Sequence, residues 1–415
     1  MTRAFVPSYL EDFRCDGPNC PDNCCQGSWR ISVDELHFKR LRAVHDRELT
    51  PLIKKYVKRN RRGDNDQNYG KLVLDKKKRQ CVFLTPEKFC GIQQKLGERH
   101  LCNVCMIYPR STAFIKGFPL ERFLSFSCPL AAKTALLRPQ GIDFLETDID
   151  ITERHLFSCV LDFDQERKTR PYVDYFFELR AFTVQVLKTR DFQLWERLIV
   201  LGMFYARLQE VVNQGDYHAI PAEIDTCTHR IVSNLYQEFL ADVPANPTVQ
   251  MEMARQIIEA KSQMDAKSGQ VESLAGVMED FATGIGFDPE QTLDDNTRRY
   301  QQVYEQWYLP FMGSREYILE NYLVNYVFIR LFPLTQKTLF DSYGMMVLSF
   351  ALIKLLLIGR AGVRKAEFDE TDVVMVIQKF VKSVEHNQGF VTWVYQEMEK
   401  QNLLTMAHMA ILIKN

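Results

Sequence analysis

Charge of one sign is what this sequence most lacks. Its 52 Lys and Arg stand against 53 Asp and Glu, for a formal net charge of −1. Domains that bind nucleic acid carry a clear basic excess, so no nucleic-acid partner is expected. Long apolar runs are also scarce. The longest, MMVLSFALIKLLLIG at 345–359, contains Lys354 and falls short of the roughly 20 apolar residues that span a bilayer. It reads as a buried helix. No transmembrane segment is expected, which leaves room only for peripheral membrane association. The first residues, MTRAFVPSYLEDFRC, have neither a continuous apolar stretch nor a small-residue cleavage site. A secretory leader is therefore not expected, and a cytoplasmic location is. No P-loop, HExxH or GxSxG occurs. GIGF, with Gly284 and Gly286, lacks the third glycine and the preceding strand of a nucleotide loop, so it reads as a turn.

Cysteine is present out of proportion and badly scattered. Nine of the 11 cysteines fall in the first 128 residues, where even spacing would put roughly three. In a reducing compartment, thiols crowded this way point to metal ligands or catalytic groups rather than disulfides. Cys159 and Cys227 stand apart and are expected to be buried apolar side chains.

The texture divides the chain at about residue 135. Residues 1–135 are turn-rich and locally basic. Asp34 is placed to cap a helix over DELHFKRLRAV, with Leu36, Leu41 and Val44 toward one side. KKYVKRNRRGDNDQNYGK reads as an exposed loop. YGKLVLDKKKRQCVFL reads as a hairpin whose second strand carries Cys81. STAFIKGFPLERFLSFSC reads as another, turning at Gly117 and Pro119 and carrying Cys128. The basic runs KRNRR and DKKKR are read as solvated loop charge or as a docking surface for an acidic partner. Residues 136–415 carry helical periodicity, as in FQLWERLIVLGMFYARLQEVVNQG, where Leu194, Leu198, Leu201, Tyr205 and Leu208 recur at threes and fours. PANP at 244–247 marks a loop and a possible sub-boundary in this helical body. The expected class is mainly α: a small Cys-rich metal-binding module with short β-hairpins, on a larger helical body. A loop-rich module buries too little apolar surface to offset its chain entropy, and a metal crosslink supplies the difference.

Thiolates suit zinc and iron–sulfur clusters. Cys102 and Cys105 form a CxxC pair able to meet one metal, and the spacings of Cys15, Cys20 and Cys24 also permit a shared site. Cys24 and Cys25 are adjacent, so their side chains diverge and serve one tetrahedral ion poorly. Cys81, Cys90 and Cys128 complete the set. Nine thiols supply two centres with one thiol left over, or one centre plus structural thiols; spacing does not choose. CPDNCC breaks the CxxxCxxC spacing of radical S-adenosylmethionine enzymes after Cys24. His100, two residues before Cys102, is a further donor of the right type.

FRCDGPNCPDNCCQGSWRISVD, CVFLTPEKFCGIQQKLGERHLCNVCMIYPR and FLSFSCPLAAK resemble the flagellin lysine-N-methylases, and their Cys-rich part resembles zinc- or iron-chelating proteins. YILENYLVNYVFIRLFPL, far from the cysteines, resembles the methylases as well. The resemblance implies a cytoplasmic enzyme that moves the methyl group of S-adenosylmethionine to the ε-amine of flagellin lysines and carries a cysteine-bound [4Fe-4S] cluster. That role falls first on Cys15, Cys20, Cys24 and Cys25, with Cys81, Cys90, Cys102, Cys105 and Cys128 in support. Tyr304, Trp307 and Tyr308 are of the type that lines methyl-lysine pockets, at a spacing equally suited to a helical core. A non-enzymatic adaptor with a structural zinc module and an iron–sulfur redox protein are the competing readings. The sequence leaves room for an oligomer.

Overall fold

The computed structural model describes residues 2–26, 31–62, 65–75, 77–150, 157–253, 255–256, 275–288, 290–386 and 388–415. It is mainly α with short strands. The chain forms two compact units, one of Met1–Thr134 with Phe144–Val160, the other of Ala135–Asp143 with Leu161–Asn415.

Two small sheets organise the first unit. One joins β1 (Thr2–Pro7), β5 (Arg110–Ile115), β6 (Leu120–Leu124), β7 (Phe144–Ile149) and β8 (Cys159–Leu161) in the order β7-β1-β6-β5-β8. Ala4 and Val6 alternate inward along β1 and pack on Leu120 and Ile149, as a half-buried strand requires. β5 and β6 form the hairpin expected from the sequence, with Gly117 at φ +85° in its turn. The other sheet has the order β2-β4-β3, from β2 (Ile31–Val33), β3 (Val57–Arg59) and β4 (Gly70–Leu72).

This second sheet corrects two expectations. The polar 54–71 stretch is a loop only in its middle: its ends close a helix, α2 (Leu49–Tyr56), and supply β3 and the start of β4. The hairpin expected through Cys81 keeps its turn, with Asp75 N–H donating to the Gln80 carbonyl at 2.9 Å, but residues 81–84 form no strand. Both edges of β4 are already taken by β2 and β3, so no partner edge remains. Helix α1 (Glu35–Arg42) is capped as expected: Asp34 accepts the His37 N–H at 3.0 Å. Its inward face differs, because His37, Leu41 and Val44 follow the i, i+4, i+7 stripe and are buried, whereas Leu36 is 53% exposed. Burial of His37 is offset by its 2.6 Å contact with Asp34 Oδ1.

The second unit is helical: α6 (Phe176–Leu187), α7 (Leu194–Asn213), α8 (Ile220–Val232), α9 (Ala275–Gly284), α10 (Leu293–Val303), α11 (Tyr317–Ile329), α12 (Leu339–Arg364), α13 (Glu370–Phe380) and α14 (Met406–Ile413) are its main elements. The Leu194–Leu208 stripe of α7 is buried throughout, as its spacing predicts. THRIVSNLYQEFLADV is not one helix; it breaks after Val232 at Asn234, which adopts φ +55°. The 345–359 run lies inside the 26-residue α12. By length and composition alone this longer helix could cross a membrane, yet 78% of its most apolar window is buried inside the protein, where it packs on α7, α9 and α14. GIGF is the crossing point of α9 and α12. A Cβ on Gly284 would strike the Gly359 carbonyl, and one on Gly362 would strike the Gly284 carbonyl. The continuation of the helix expected over MEMARQIIEAKSQM lies outside the described residues.

Candidate metal centre

Three of the nine clustered cysteines sit where a helix begins. Cys90 precedes α3 (Gly91–Leu96), Cys102 precedes α4 (Asn103–Ile107), and Cys128 precedes α5 (Pro129–Leu136). First-turn N–H groups have no intrahelical acceptor, and here sulfur takes that role. Cys90 accepts from Ile92 and Gln93, Cys128 from Leu130 and Ala131, and Cys102 from Cys105. Such donors favour thiolate over thiol. Burial opposes them and wins at Cys90 and Cys128, which are both raised above the ordinary thiol range.

Backbone contacts bring the other cysteines to these helix starts. Gly17, at φ +55°, turns the chain between Cys15 and Cys20, and Cys20 N–H donates to the Gly17 carbonyl at 3.3 Å. Buried Asn23 accepts the Cys25 N–H at 2.9 Å and donates to the Lys88 carbonyl at 3.3 Å, tying this turn to the segment that ends in Cys90. Cys81 N–H donates to the Cys25 carbonyl at 2.7 Å, and Leu84 bridges Cys90. Asp34 reaches across to accept the Asn103 N–H at 3.1 Å, which fixes α4 beside α1. These ties make Asn23 and Asp34 positioning residues. Asn23 shows itself in sequence only as an Asx turn two residues before Cys25.

All nine thiols therefore share one neighbourhood. Cys20 feels Cys15, Cys24 and Cys128, and burial pushes it up to about 11. A hydrogen bond with Cys25 holds Cys24 well above the ordinary thiol range. For Cys25 that bond lowers the pKa, but a hydrogen bond with Cys81 and burial outweigh it and push the thiol up to about 12. The interaction of Cys102 with Cys105 lowers Cys102 and, with burial, raises Cys105. Cys105 also feels Cys25 and Cys81. Tyr108 lies beside Cys24 and Cys128, raised by burial, with its hydroxyl 3.1 Å from Ser127 Oγ. Among the described residues, no three His, Cys, Asp or Glu side chains form a ready-made metal shell. What fits a metal is the chemistry of the donor set itself: the nine clustered cysteines of the first unit, whose thiolates suit a thiophilic cation.

Other candidates lie elsewhere. His100 Nδ1 is 2.7 Å from the Leu96 carbonyl, which closes the turn after α3. Cys227 is buried as expected, 3.3 Å from the Tyr236 hydroxyl, but Cys159 is exposed, because it starts the edge strand β8. Tyr304 and Tyr308 stack at 5.5 Å, with Tyr308 buried in the helical unit.

Residues 180–412 match the family described as the FliB lysine N-methylase C-terminal domain. A lysine-N-methylase of Salmonella typhimurium is 26% identical over 143 residues, covering 34% of this chain and 35% of that protein. The lysine-N-methylase of Salmonella choleraesuis matches to the same extent. The flagellar biosynthetic protein FliU of Salmonella muenchen is 26% identical over 136 residues, 33% of this chain and 78% of its own length. The matched stretch thus spans about a third of the two lysine-N-methylases. No solved structure matches.

Proposed function

Since this chain belongs to the FliB lysine N-methylase C-terminal domain family, we propose that it is a cytoplasmic protein-lysine methyltransferase that uses S-adenosylmethionine to methylate flagellin, with a [4Fe-4S] cluster held by its cysteines. The observation that carries this reading is the joining, in one chain, of a helical unit that matches the family over 180–412 and a unit that carries the nine clustered cysteines.

The reaction forms a bond between the lysine nitrogen and the methyl carbon and breaks the bond between that carbon and the sulfonium sulfur. S-adenosylhomocysteine leaves with the electron pair, and the nitrogen gives up a proton. A free lysine titrates near about 10.4, so the neutral amine must be favoured by burial or by a base. Alignment of nitrogen, carbon and sulfur supplies much of the remaining acceleration.

The donors for a cluster are Cys15, Cys20, Cys24, Cys25, Cys81, Cys90, Cys102, Cys105 and Cys128. When bound, a cluster supplies one-electron transfer or an open iron as a Lewis acid. The chain's own part is to keep these sulfurs together. The first-turn N–H groups after Cys90 and Cys128 stabilise their thiolates, Asn23 fixes the loop carrying Cys24 and Cys25, and Asp34 fixes the start of α4. The test is transfer of labelled methyl groups from S-adenosylmethionine to flagellin by protein purified anaerobically with its metal. The expected result is label in ε-methylated lysine, located by mass spectrometry. Unlabelled flagellin would sink the reading and favour a metal-binding adaptor.

A further inference from the structure

The second sheet carries a charge pattern that its own packing does not account for. The described residues of 54–71 hold seven cations, Lys54, Lys55, Lys58, Arg59, Arg61, Arg62 and Lys71, against one acid, Asp66, in a chain whose net charge is −1. All seven are exposed. Among the described residues, none of the seven forms an ion pair. In the second unit, by contrast, Arg167, Arg190, Arg207, Arg298 and Arg360 all hold carboxylates.

Local structure explains some of these positions. Lys54 and Lys55 lie in the last turn of α2, where carbonyl dipoles favour cations. Arg59 stacks 3.4 Å from the Tyr69 ring centroid and donates to the Asn60 carbonyl at 2.7 Å. Lys58, on the edge strand β3, guards against strand pairing. Lys71 has no such reason. It sits on the central strand β4, directly opposite Lys58 on one side and Ser32 on the other. Val57 and Leu72 belong to the apolar core, so alternation turns Lys58 and Lys71 outward on the same face. Like charges placed directly opposite each other destabilise a sheet. The Lys58 ammonium also donates to the Lys54 carbonyl at 3.3 Å, which gathers these cations at the end of α2.

We propose that the outer face of the β2-β4-β3 sheet, with the end of α2, is a docking surface for an acidic segment of the protein substrate, its carboxylates seated between Lys58 and Lys71. Taking this partner to be the substrate rests on the proposed function; the choice of a carboxylate-bearing polypeptide does not. Charge complementarity selects an anionic partner. No large apolar side chain among the described residues of 49–72 is exposed, so the face has nothing to insert into a bilayer. The chain as a whole lacks the basic excess of a nucleic-acid binder. A segment rich in Asp or Glu needs only the local patch, because salt screens charges farther away.

The test is binding of a labelled oligoglutamate peptide to the full-length protein, followed by fluorescence anisotropy. Wild type is expected to bind at about 50 mM salt and to lose at least about tenfold in affinity at about 500 mM, where screening is stronger. Lys58→Glu places a carboxylate opposite Lys71. It should weaken peptide binding by about tenfold while the denaturation midpoint holds or rises, because a repulsion across the sheet has become an attraction. Lys168→Glu changes an exposed lysine of the second unit and should leave binding within about twofold. Equal loss from the two variants, or no binding by wild type, overturns the docking surface. Tighter binding to phosphatidylglycerol vesicles, or to a DNA oligonucleotide of equal charge, overturns the polypeptide as its occupant. With flagellin as methyl acceptor, Lys58→Glu is expected to raise KM about tenfold with kcat unchanged. An unchanged KM removes the substrate from this face. Wild type that binds the peptide but leaves flagellin unmethylated sinks the methylase reading and keeps the surface.

Discussion

Glu320→Ala is expected to destabilise the helical unit by about 3–5 kcal/mol, the range for breaking a buried ion pair from one side. Glu320 is 1% exposed and lies on α11. Its Oε2 accepts from Arg197 Nη1 at 2.7 Å, and its Oε1 from Arg190 Nη2 at 2.8 Å. Arg197 is itself 3% exposed, and its Nε has no hydrogen-bond partner. Removing Glu320 leaves that guanidinium buried with one carboxylate, Glu316, at 3.3 Å. The expected observation is a large drop in the denaturant midpoint with the slope unchanged. Arg190→Ala provides the contrast. Its side chain is partly exposed, so its loss should cost less than about 1 kcal/mol. Equal losses from the two variants would refute this account of the network.

Lys354→Met is expected to act in the opposite direction. Lys354 is buried in α12, donates to the Ile413 carbonyl at 3.0 Å and lies 5.7 Å from the Tyr304 ring centroid. Burial lowers its pKa from 10.5 to about 7, against a smaller raising effect of Glu316. Between these values the unfolded chain binds a proton that the folded chain does not, so stability rises with pH from about 7 to 10.5. At 1.36 kcal/mol for each pH unit, the gap corresponds to about 5 kcal/mol between the two ends of the window. Methionine has a similar volume and no charge. The variant should gain about 1–4 kcal/mol at pH 7 and lose this part of the pH dependence. Parallel pH profiles for the variant and the wild type would show that Lys354 is charged in the folded protein.

These two residues mark a limit of what the sequence makes legible. Lys354 is visible as a charge inside an apolar run, and its burial follows from that. Glu320 and Asn321 sit in YILENYLVNYVFIRLFPL, a stretch that carries family resemblance, and nothing local reveals their partners. Asn321 donates at 3.0 Å to the carbonyls of Leu136 and Arg138, at the end of α5 and some 180 residues earlier. Contacts of such separation depend on packing, which periodicity does not encode. Helices with a strong stripe, such as α7, were readable for the opposite reason: each contact face is set by spacing within one element.

The second sheet of the first unit was harder to read because its strands are short. Three-residue strands give no alternation to count, so the 54–71 segment looked like loop and the partner of β4 was misassigned. The cysteines stood out by number, while their grouping did not. It depends on Asn23, Asp34 and three helix starts, which bring residues 15–25 together with 81–128.

The most direct test of the central claim is methyl transfer to flagellin lysines, measured on the same preparation before metal removal, after it, and after anaerobic reconstitution with iron and sulfide. The account predicts label in lysine before removal, none after, and recovery on reconstitution, with circular dichroism reporting that the helical unit stays folded throughout. Full transfer by the metal-free protein would separate the methylase activity from its cysteines. No transfer by a preparation replete in iron and sulfide would contradict the methylase reading itself.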